Sequence, residues 1–264
     1  MKKHCDNMDT DQEIAHLIEY NTAKFFLNLG HLNGDEVFDT SEIKYIFTKN
    51  WQSRVFMANF NESSAHSNIM HVISRIKELN IHVLWFVSPM SHPRNLGNIL
   101  KDHGLTYRNE WKAMAVDLET VTESFNIPEG IEIKEVLNLE ELKIWTDILV
   151  KSFEFPEIVE SYKKYFINAG LEGLNFHYYL GFLNGKPVTT DVLFNGEKAA
   201  GLFYIGTVPE ARGQGIAKTM VNYLLSESKN KGYSISILQA SEMGYPLYKK
   251  IGFKKYYTTK IYSR

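Results

Sequence analysis

The segment comprising residues 201–217, GLFYIGTVPEARGQGIA, constrains the fold more than any other part of the chain. Tyr204, Ile205 and Val208 are typical of a buried strand, and Pro209 should end it because proline cannot donate to a sheet ladder. The next residues recur at helical spacing and predict a helix with one apolar face: Ile216, Ala217, Met220, Val221, Leu224 and Leu225. The segment therefore predicts a strand, a turn and a helix in immediate succession.

Two glycines, Gly213 and Gly215, stand at the start of this helix. The first backbone N–H groups of a helix have no intrahelical partners, and they lie at the positive end of the helix dipole. Since glycine has no side chain, a phosphate can approach these donors closely. The same short pattern also occurs in ordinary strand–turn–helix connections, so it indicates a phosphate site only in combination with other motifs.

Composition excludes several classes of function. The formal net charge of −2 implies no general attraction to nucleic acid or to an anionic membrane. The single cysteine, Cys5, excludes an intramolecular disulfide and a cysteine-based zinc site, and the nine histidines show no metal-binding motif. No apolar run is long enough to span a bilayer, and no signal peptide is recognisable. We therefore expect a cytoplasmic monomer or homodimer without a metal, nucleic-acid or membrane partner.

The order of the predicted elements repeats along the 264 residues. Residues 121–130 contain Thr, Ser, Asn, Pro and Gly and predict a linker, which divides the chain into residues 1–125 and 126–264. Each half has hairpin strands, an amphipathic helix, a short apolar strand, a short helix ending near glycine and a long strand. This order predicts an α/β (α+β) fold of two tandem halves, each a mixed, largely antiparallel sheet flanked by helices.

Local patterns add detail to this expectation. The first helix is predicted over residues 11–29 with Gly30 as its end, and a strand is predicted over residues 53–60. Asn184-Gly185 predicts a tight hairpin turn. Residues 99–105, ILKDHGL, match residues 247–253, LYKKIGF, which suggests an internal duplication, although chance similarity over seven positions is the alternative.

Three stretches of the second half resemble the GNAT superfamily of acyl-CoA-dependent N-acyltransferases, in the family's order. They are VPEARGQGIA at residues 208–217, SISIL at 234–238 and LYKKIGF at 247–253. Residues 238–245, LQASEMGY, also look like a subset of tandem GNAT proteins. The first half resembles a degenerate copy, with Leu100 in the place of Tyr248 and NESSA at residues 61–65 in the place of the glycine loop. The resemblance implies a GNAT domain over residues 126–264 and a first half without a cofactor loop.

The resemblance implies acetyl-CoA as the co-substrate. Its pyrophosphate would lie at the amides of Arg212 to Ala217, and its pantetheine would pair with the splayed strand edge at Gly206, with Arg212 either adding charge or simply facing solvent. The implied cofactor-binding residues are Gly206, Thr207, Val208, Arg212, Gly213, Gln214, Gly215, Ile216, Ala217, Ser241 and Tyr248.

The same resemblance implies Tyr248 as the general acid that protonates the leaving thiolate, with a packing role as the alternative. The general base is less defined. Asp191 and Glu154 are candidates, as are Glu242 and His177, but each also suits an ordinary structural role. An amine with a lowered pKa would need no base from the protein.

Three functions follow from these expectations. The first is transfer of an acetyl group from acetyl-CoA to a primary amine of a small molecule. The second is a non-catalytic acyl-CoA-binding or sensor protein, which the missing base would suit. The third is a tandem aminoacyl-tRNA-dependent transferase, against which the net charge and the intact glycine loop argue.

Overall fold

The computed structural model describes residues 10–49, 51–121, 126–153, 159–171, 173 and 175–264. Its first part contains α1 (Asp11–Asn33), β1 (Glu36–Asp39), β2 (Lys44–Phe47), β3 (Ser53–Phe56), α2 (Glu62–Leu79), β4 (Val83–Val87), α3 (Leu96–Asp102) and β5 (Thr106–Asp117). Its second part contains β6 (Ile131–Glu135), α4 (Leu139–Phe153), α5 (Val159–Ala169), β7 (Phe176–Leu183), β8 (Lys186–Asn195), β9 (Ala200–Thr207), α6 (Ile216–Asn230), β10 (Ile235–Ala240), α7 (Tyr245–Ile251) and β11 (Lys254–Ser263).

Within the described residues all the strands belong to one sheet, in the order β1-β2-β3-β4-β11-β5-β10-β9-β8-β7-β6. Neighbouring strands are antiparallel except at two places, β3–β4 and β9–β10, where they are parallel. Helices cover both faces. The predicted mixed, largely antiparallel sheet flanked by helices is therefore confirmed.

The two halves exchange their last strands, which the sequence did not predict. The last strand of the first half, β5, pairs along β10, and the last strand of the second half, β11, pairs with β4. The two exchanged strands also pair with each other, from Lys254–Ala115 to Ser263–Thr106. The first half thus contributes a strand to the sheet of the second, and the division between residues 125 and 126 stays a prediction.

The helices divide between the faces because side chains alternate along each strand. Helices α1, α4 and α5 cover one face through a core shared by both halves. Helices α2 and α3 cover the other face of the first half, and α6 and α7 that of the second. The shared core is strongly aromatic: Phe25 of α1 stacks on Phe203 of β9 with 3.9 Å between ring centroids. Helix α1 therefore packs directly beneath the predicted cofactor strand.

Local predictions are confirmed in part. The Asn184-Gly185 turn has the two positive φ angles, 49° and 77°, that a tight hairpin requires. The end of the first helix was predicted wrongly, since α1 continues to Asn33 and Gly30 lies inside it. A glycine is needed at position 30 because a Cβ there would overlap with Ile46.

None of the described helices has the length and hydrophobicity of a membrane span. Among the described residues, His, Cys, Asp and Glu form no group of three or more that could hold a metal ion.

Candidate acyl-donor site

Strands β9 and β10 separate to form a gap in the sheet. They pair only at Ala200–Ser236 and Gly201–Ile237. Beyond these two pairs, β9 continues to Thr207 along β8, and β10 continues to Ala240 along β5. The facing edges of residues 202–207 and 238–240 therefore lack a paired strand, which is the arrangement that an extended, peptide-like ligand can enter.

A β-bulge in β9 turns the strand away from β10. Tyr204 adopts a φ of 56°, and Tyr204 and Ile205 together oppose the single residue Asp191 of β8. The hydroxyl of Thr190 donates to the backbone oxygen of Tyr204 over 3.0 Å and holds the bulge. A positive φ at a tyrosine is strained, and such strain concentrates at functional sites.

The glycine loop joins the end of β9 to α6. Gly213 and Gly215 have φ angles of 77° and 80°, and a Cβ at either position would meet nothing within 4 Å. Gly215 is the N-cap of α6, and no side chain caps the helix there. Gln214 folds back onto the backbone oxygen of Glu210, at 3.3 Å. The loop thus exposes glycine backbone at an uncapped helix N-terminus, as an anion site requires.

Arg212 connects the end of β9 to the end of α4. Its Nε donates to the backbone oxygen of Thr207 over 3.1 Å, and a terminal nitrogen donates to that of Ser152 over 2.8 Å. Gly206 allows the same close approach, since a Cβ there would lie 2.8 Å from atoms of both Ser152 and Phe153. The sequence predicted Arg212 as a cofactor ligand, and that role stays a prediction; in the structure its guanidinium braces the loop.

Tyr248 lies on α7, buried against the second-half core. Its ring packs on Gly244, where a Cβ would lie 2.8 Å away, and meets the edge of Phe253 at 6.0 Å. Ser241 accepts a hydrogen bond from the backbone N–H of Gly244 over 3.2 Å, so it shapes the turn before α7. In the first half, the corresponding Leu100 is wholly buried and has no polar group.

Asp191 is a fully buried carboxyl on the same side of the sheet as Tyr248. Burial raises its pKa well above the ordinary value, and the backbone amides of Val192 and Phe203 oppose this shift. Neither carboxyl oxygen has a hydrogen-bond partner of normal geometry among the described residues. Burial and the nearby Asp191 also raise the pKa of Tyr248 well above that of a free phenol, so Tyr248 keeps its proton at neutral pH.

The other predicted bases differ in what the structure says of them. Glu154 lies outside the described residues. Glu242 is exposed and pairs with Lys112 at 3.5 Å. His177 is held by Glu135 at 2.6 Å and by Asn195 at 2.9 Å, as in a structural polar cluster. The structure therefore groups the strand edge, the glycine loop, Tyr248 and Asp191.

The equivalent gap in the first half is closed by the chain itself. Met57 follows β3 with a φ of 52°, in the place that Tyr204 occupies in the second half. The next residues then pair with His92: its N–H donates to the oxygen of Ala58 over 2.9 Å, and its oxygen accepts from Phe60 over 3.3 Å. Helix α2 also has Asn61 as its N-cap, where α6 has a glycine. An extended ligand has no open strand edge here.

A buried arginine beside the gap was missed by the sequence reasoning. Arg54 of β3 is only 3% exposed and lies between the rings of Phe26 and Trp51, with its guanidinium carbon 4.2 Å and 3.9 Å from their centroids. The available signal was a charged residue among the apolar residues of the strand predicted over residues 53–60.

Comparisons with known proteins agree with this geometry. Residues 136–256 match the family model described as an acetyltransferase (GNAT) domain. Human N-acetyltransferase 8B is 40% identical over 81 residues, which cover 29% of this chain and 34% of that protein. A GCN5-related N-acetyltransferase from Kribbella flavida superposes with a TM-score of 0.69 at 14% identity, over 93% of this chain and 94% of that one. A tandem GNAT protein from the clavulanic acid biosynthesis pathway superposes with a TM-score of 0.59 at 11% identity. The superposition covers 84% of this chain and 78% of that one.

These similarities differ in what they establish. The two solved structures are too distant in sequence to show more than the fold, which they share with 93% and 84% of this chain. The chain spans about a third of the length of the human relative that it matches. The family match falls on the half with the open gap and the glycine loop.

Proposed function

We propose that the protein is an N-acetyltransferase which transfers the acetyl group of acetyl-CoA to a primary amine of a small molecule. The match of residues 136–256 to the GNAT acetyltransferase domain model supports this proposal. The observation that carries the proposal is the open gap between β9 and β10 beside an uncapped glycine loop. The second half, residues 126–264, is the catalytic unit, and residues 1–125 form a degenerate copy that does not bind the donor.

Acetyl-CoA fits the gap in a defined direction. Its pyrophosphate would accept hydrogen bonds from the amides of residues 212–217, at the positive end of α6. Its pantetheine would then lie along Gly206, Thr207 and Val208, whose strand edge is open on the β10 side. The thioester would reach the bulge at Tyr204, with Ser241 and Tyr248 on the α7 side.

The reaction needs one bond formed and one broken. The neutral amine attacks the thioester carbonyl carbon, the C–S bond breaks, and the amide and free CoA thiol are the products. Tyr248 supplies the proton that the leaving sulfur takes up. Burial raises the pKa of Tyr248 and so makes its phenol a weaker proton donor. The same burial raises the proton affinity of the thiolate, which favours the transfer.

The proton lost by the amine requires an acceptor. Asp191 is a candidate acceptor, but it is wholly buried on the Tyr248 side of the sheet, and burial raises its pKa well above the ordinary value. Because it is fully buried, Asp191 is poorly placed to take a proton from an amine that enters from solvent. Glu154, water or a substrate amine of low pKa would then complete the reaction.

A thiol-release assay tests the proposal. Full-length protein is incubated with acetyl-CoA and a panel of primary amines, and free CoA is measured together with the acetylated product. Acceptor-dependent thiol release that falls in a Tyr248→Phe variant supports the proposal. Acetyl-CoA binding by calorimetry without turnover on any amine would instead support the sensor function, which the full burial of Asp191 favours.

A further inference from the structure

A cluster of unpaired polar atoms lies behind the bulge of β9, on the face covered by α1, α4 and α5. Within the described part of the chain, Arg54 Nε, the Tyr178 and Tyr204 hydroxyls and Ser152 Oγ are buried and have no hydrogen-bond partner. Phe166 connects the two tyrosines, with its ring centroid 5.0 Å from Tyr204 and 6.3 Å from Tyr178. Buried polar groups are nearly always paired, so this cluster indicates a polar ligand.

Arg54 carries the charge of the cluster. Two of its five N–H donors reach Gln52, one to the backbone oxygen at 2.8 Å and one to Oε1 at 3.3 Å. Tyr162 donates to the same Oε1 over 3.2 Å. No ion pair between Arg54 and a carboxylate occurs among the described residues, and Asp35 accepts a hydrogen bond from the hydroxyl of Tyr165. A buried positive charge without an anion is strongly unfavourable.

The cluster reaches the proposed donor site. Tyr204 forms the bulge two residues before Gly206, and the Cβ of Ser152 lies against Gly206 itself. Tyr204 and Phe153 are both partly exposed as residues, and their ring centroids lie 6.2 Å apart. Tyr204 also lies beside the two rings that enclose Arg54, since its ring centroid is 6.5 Å from those of both Phe26 and Trp51.

We propose that Arg54 and the Tyr204 hydroxyl bind a carboxylate of the acceptor, and that the acceptor is an α-amino acid with an apolar or aromatic side chain. The inference rests on the proposed acetyl transfer and specifies its substrate class. The planar guanidinium matches a carboxylate, and the phenol supplies a further donor. The rings of Trp51 and Phe153 favour an apolar side chain. The degenerate first half thus supplies the acceptor-recognition residue.

The test compares matched acceptors and matched variants. Acetyl transfer is measured with phenylalanine, methionine and glycine and with their carboxamides, which lack the negative charge. Arg54→Gln should lower kcat/KM for the amino acids by about 10- to 100-fold, mainly through KM, and change the carboxamides less than about threefold. Arg54→Lys should recover only part of the loss, and Tyr204→Phe should show a smaller one. Arg75→Gln, an exposed arginine paired with Glu36, is the matched control.

Binding without turnover separates this inference from the proposed function. Phenylalanine and phenylalaninamide are titrated calorimetrically into the full chain in the presence of CoA. Phenylalanine binding that is lost in Arg54→Gln, while acetyl-CoA still binds that variant, supports the inference even if no amine is acetylated. Equal losses for amino acids and carboxamides, or equal phenylalanine affinity in wild type and Arg54→Gln, would overturn it while leaving acetyl transfer to other amines intact.

Discussion

Replacing Gly215 by alanine tests the phosphate role of the glycine loop against a purely structural one. Gly215 has a φ of 80° and ample space for a Cβ. An alanine there meets no clash, but the left-handed backbone costs about 1–2 kcal/mol. For a chain of this size each kcal/mol lowers Tm by roughly 2–4 °C. The added methyl would also occupy the approach to the α6 amides.

Gly232 offers a matched control on the same helix. It has a φ of 88°, equally open surroundings, and a position beyond the opposite end of α6, about 22 Å away along 15 helical residues. Gly232→Ala should therefore lose the same stability as Gly215→Ala. Only Gly215→Ala should weaken acetyl-CoA, by about 10- to 100-fold, since one charge-assisted hydrogen bond is worth ~1.5–3 kcal/mol.

Calorimetric titration with acetyl-CoA and with S-acetylpantetheine, which lacks the pyrophosphate, reads the two effects separately. Gly215→Ala should weaken acetyl-CoA and leave S-acetylpantetheine within about twofold of wild type. Equal loss of acetyl-CoA affinity in the two alanine variants, or none in Gly215→Ala, would refute the assignment of this loop to the phosphate.

Three further predictions concern neighbouring residues. Tyr248→Phe should lower kcat about 100-fold or more with little change in KM, and because the pKa of Tyr248 is raised, the wild-type pH–rate profile should show no alkaline decline from this group below about pH 10. The pKa of Asp191 is raised in the folded state, so its burial lowers stability more and more as the pH rises above the unfolded-state pKa of about 4. Asp191→Asn should therefore raise Tm relative to wild type at about pH 8 but not at about pH 4. Thermal unfolding across that pH range measures the difference. Gly206→Ala should cost ~1–3 kcal/mol in denaturant unfolding, because its Cβ would lie 2.8 Å from Ser152 and Phe153.

The sequence was sufficient where the local pattern alone determines structure. Proline, glycine and apolar periodicity placed β9, the loop and α6 within a few residues, because each of these signals acts on adjacent backbone. The Asn184-Gly185 turn was predicted for the same reason. Gly30 misled the helix prediction because the reason for a glycine at this position is not local. The missing side chain makes room for Ile46 of a neighbouring strand.

The sequence was insufficient where a choice between distant partners decides the structure. Strands β5 and β11 end similar halves, and nothing in their own residues specifies which half each one joins. The closure of the first-half gap depends on His92, more than 30 residues beyond Met57. Arg54 becomes buried, with its Nε lacking a hydrogen-bond partner among the described residues, only when α1, β3, α5 and β9 come together.

Hydrogen–deuterium exchange with and without acetyl-CoA tests the central claim most directly, because it reads both halves of one chain in a single experiment. We expect acetyl-CoA to slow amide exchange in residues 202–217, along the open edge of β9 and the glycine loop, and to leave residues 57–65 of the first half unchanged. Equal protection of both segments, or protection of residues 57–65 alone, would contradict the assignment of one donor site to the second half.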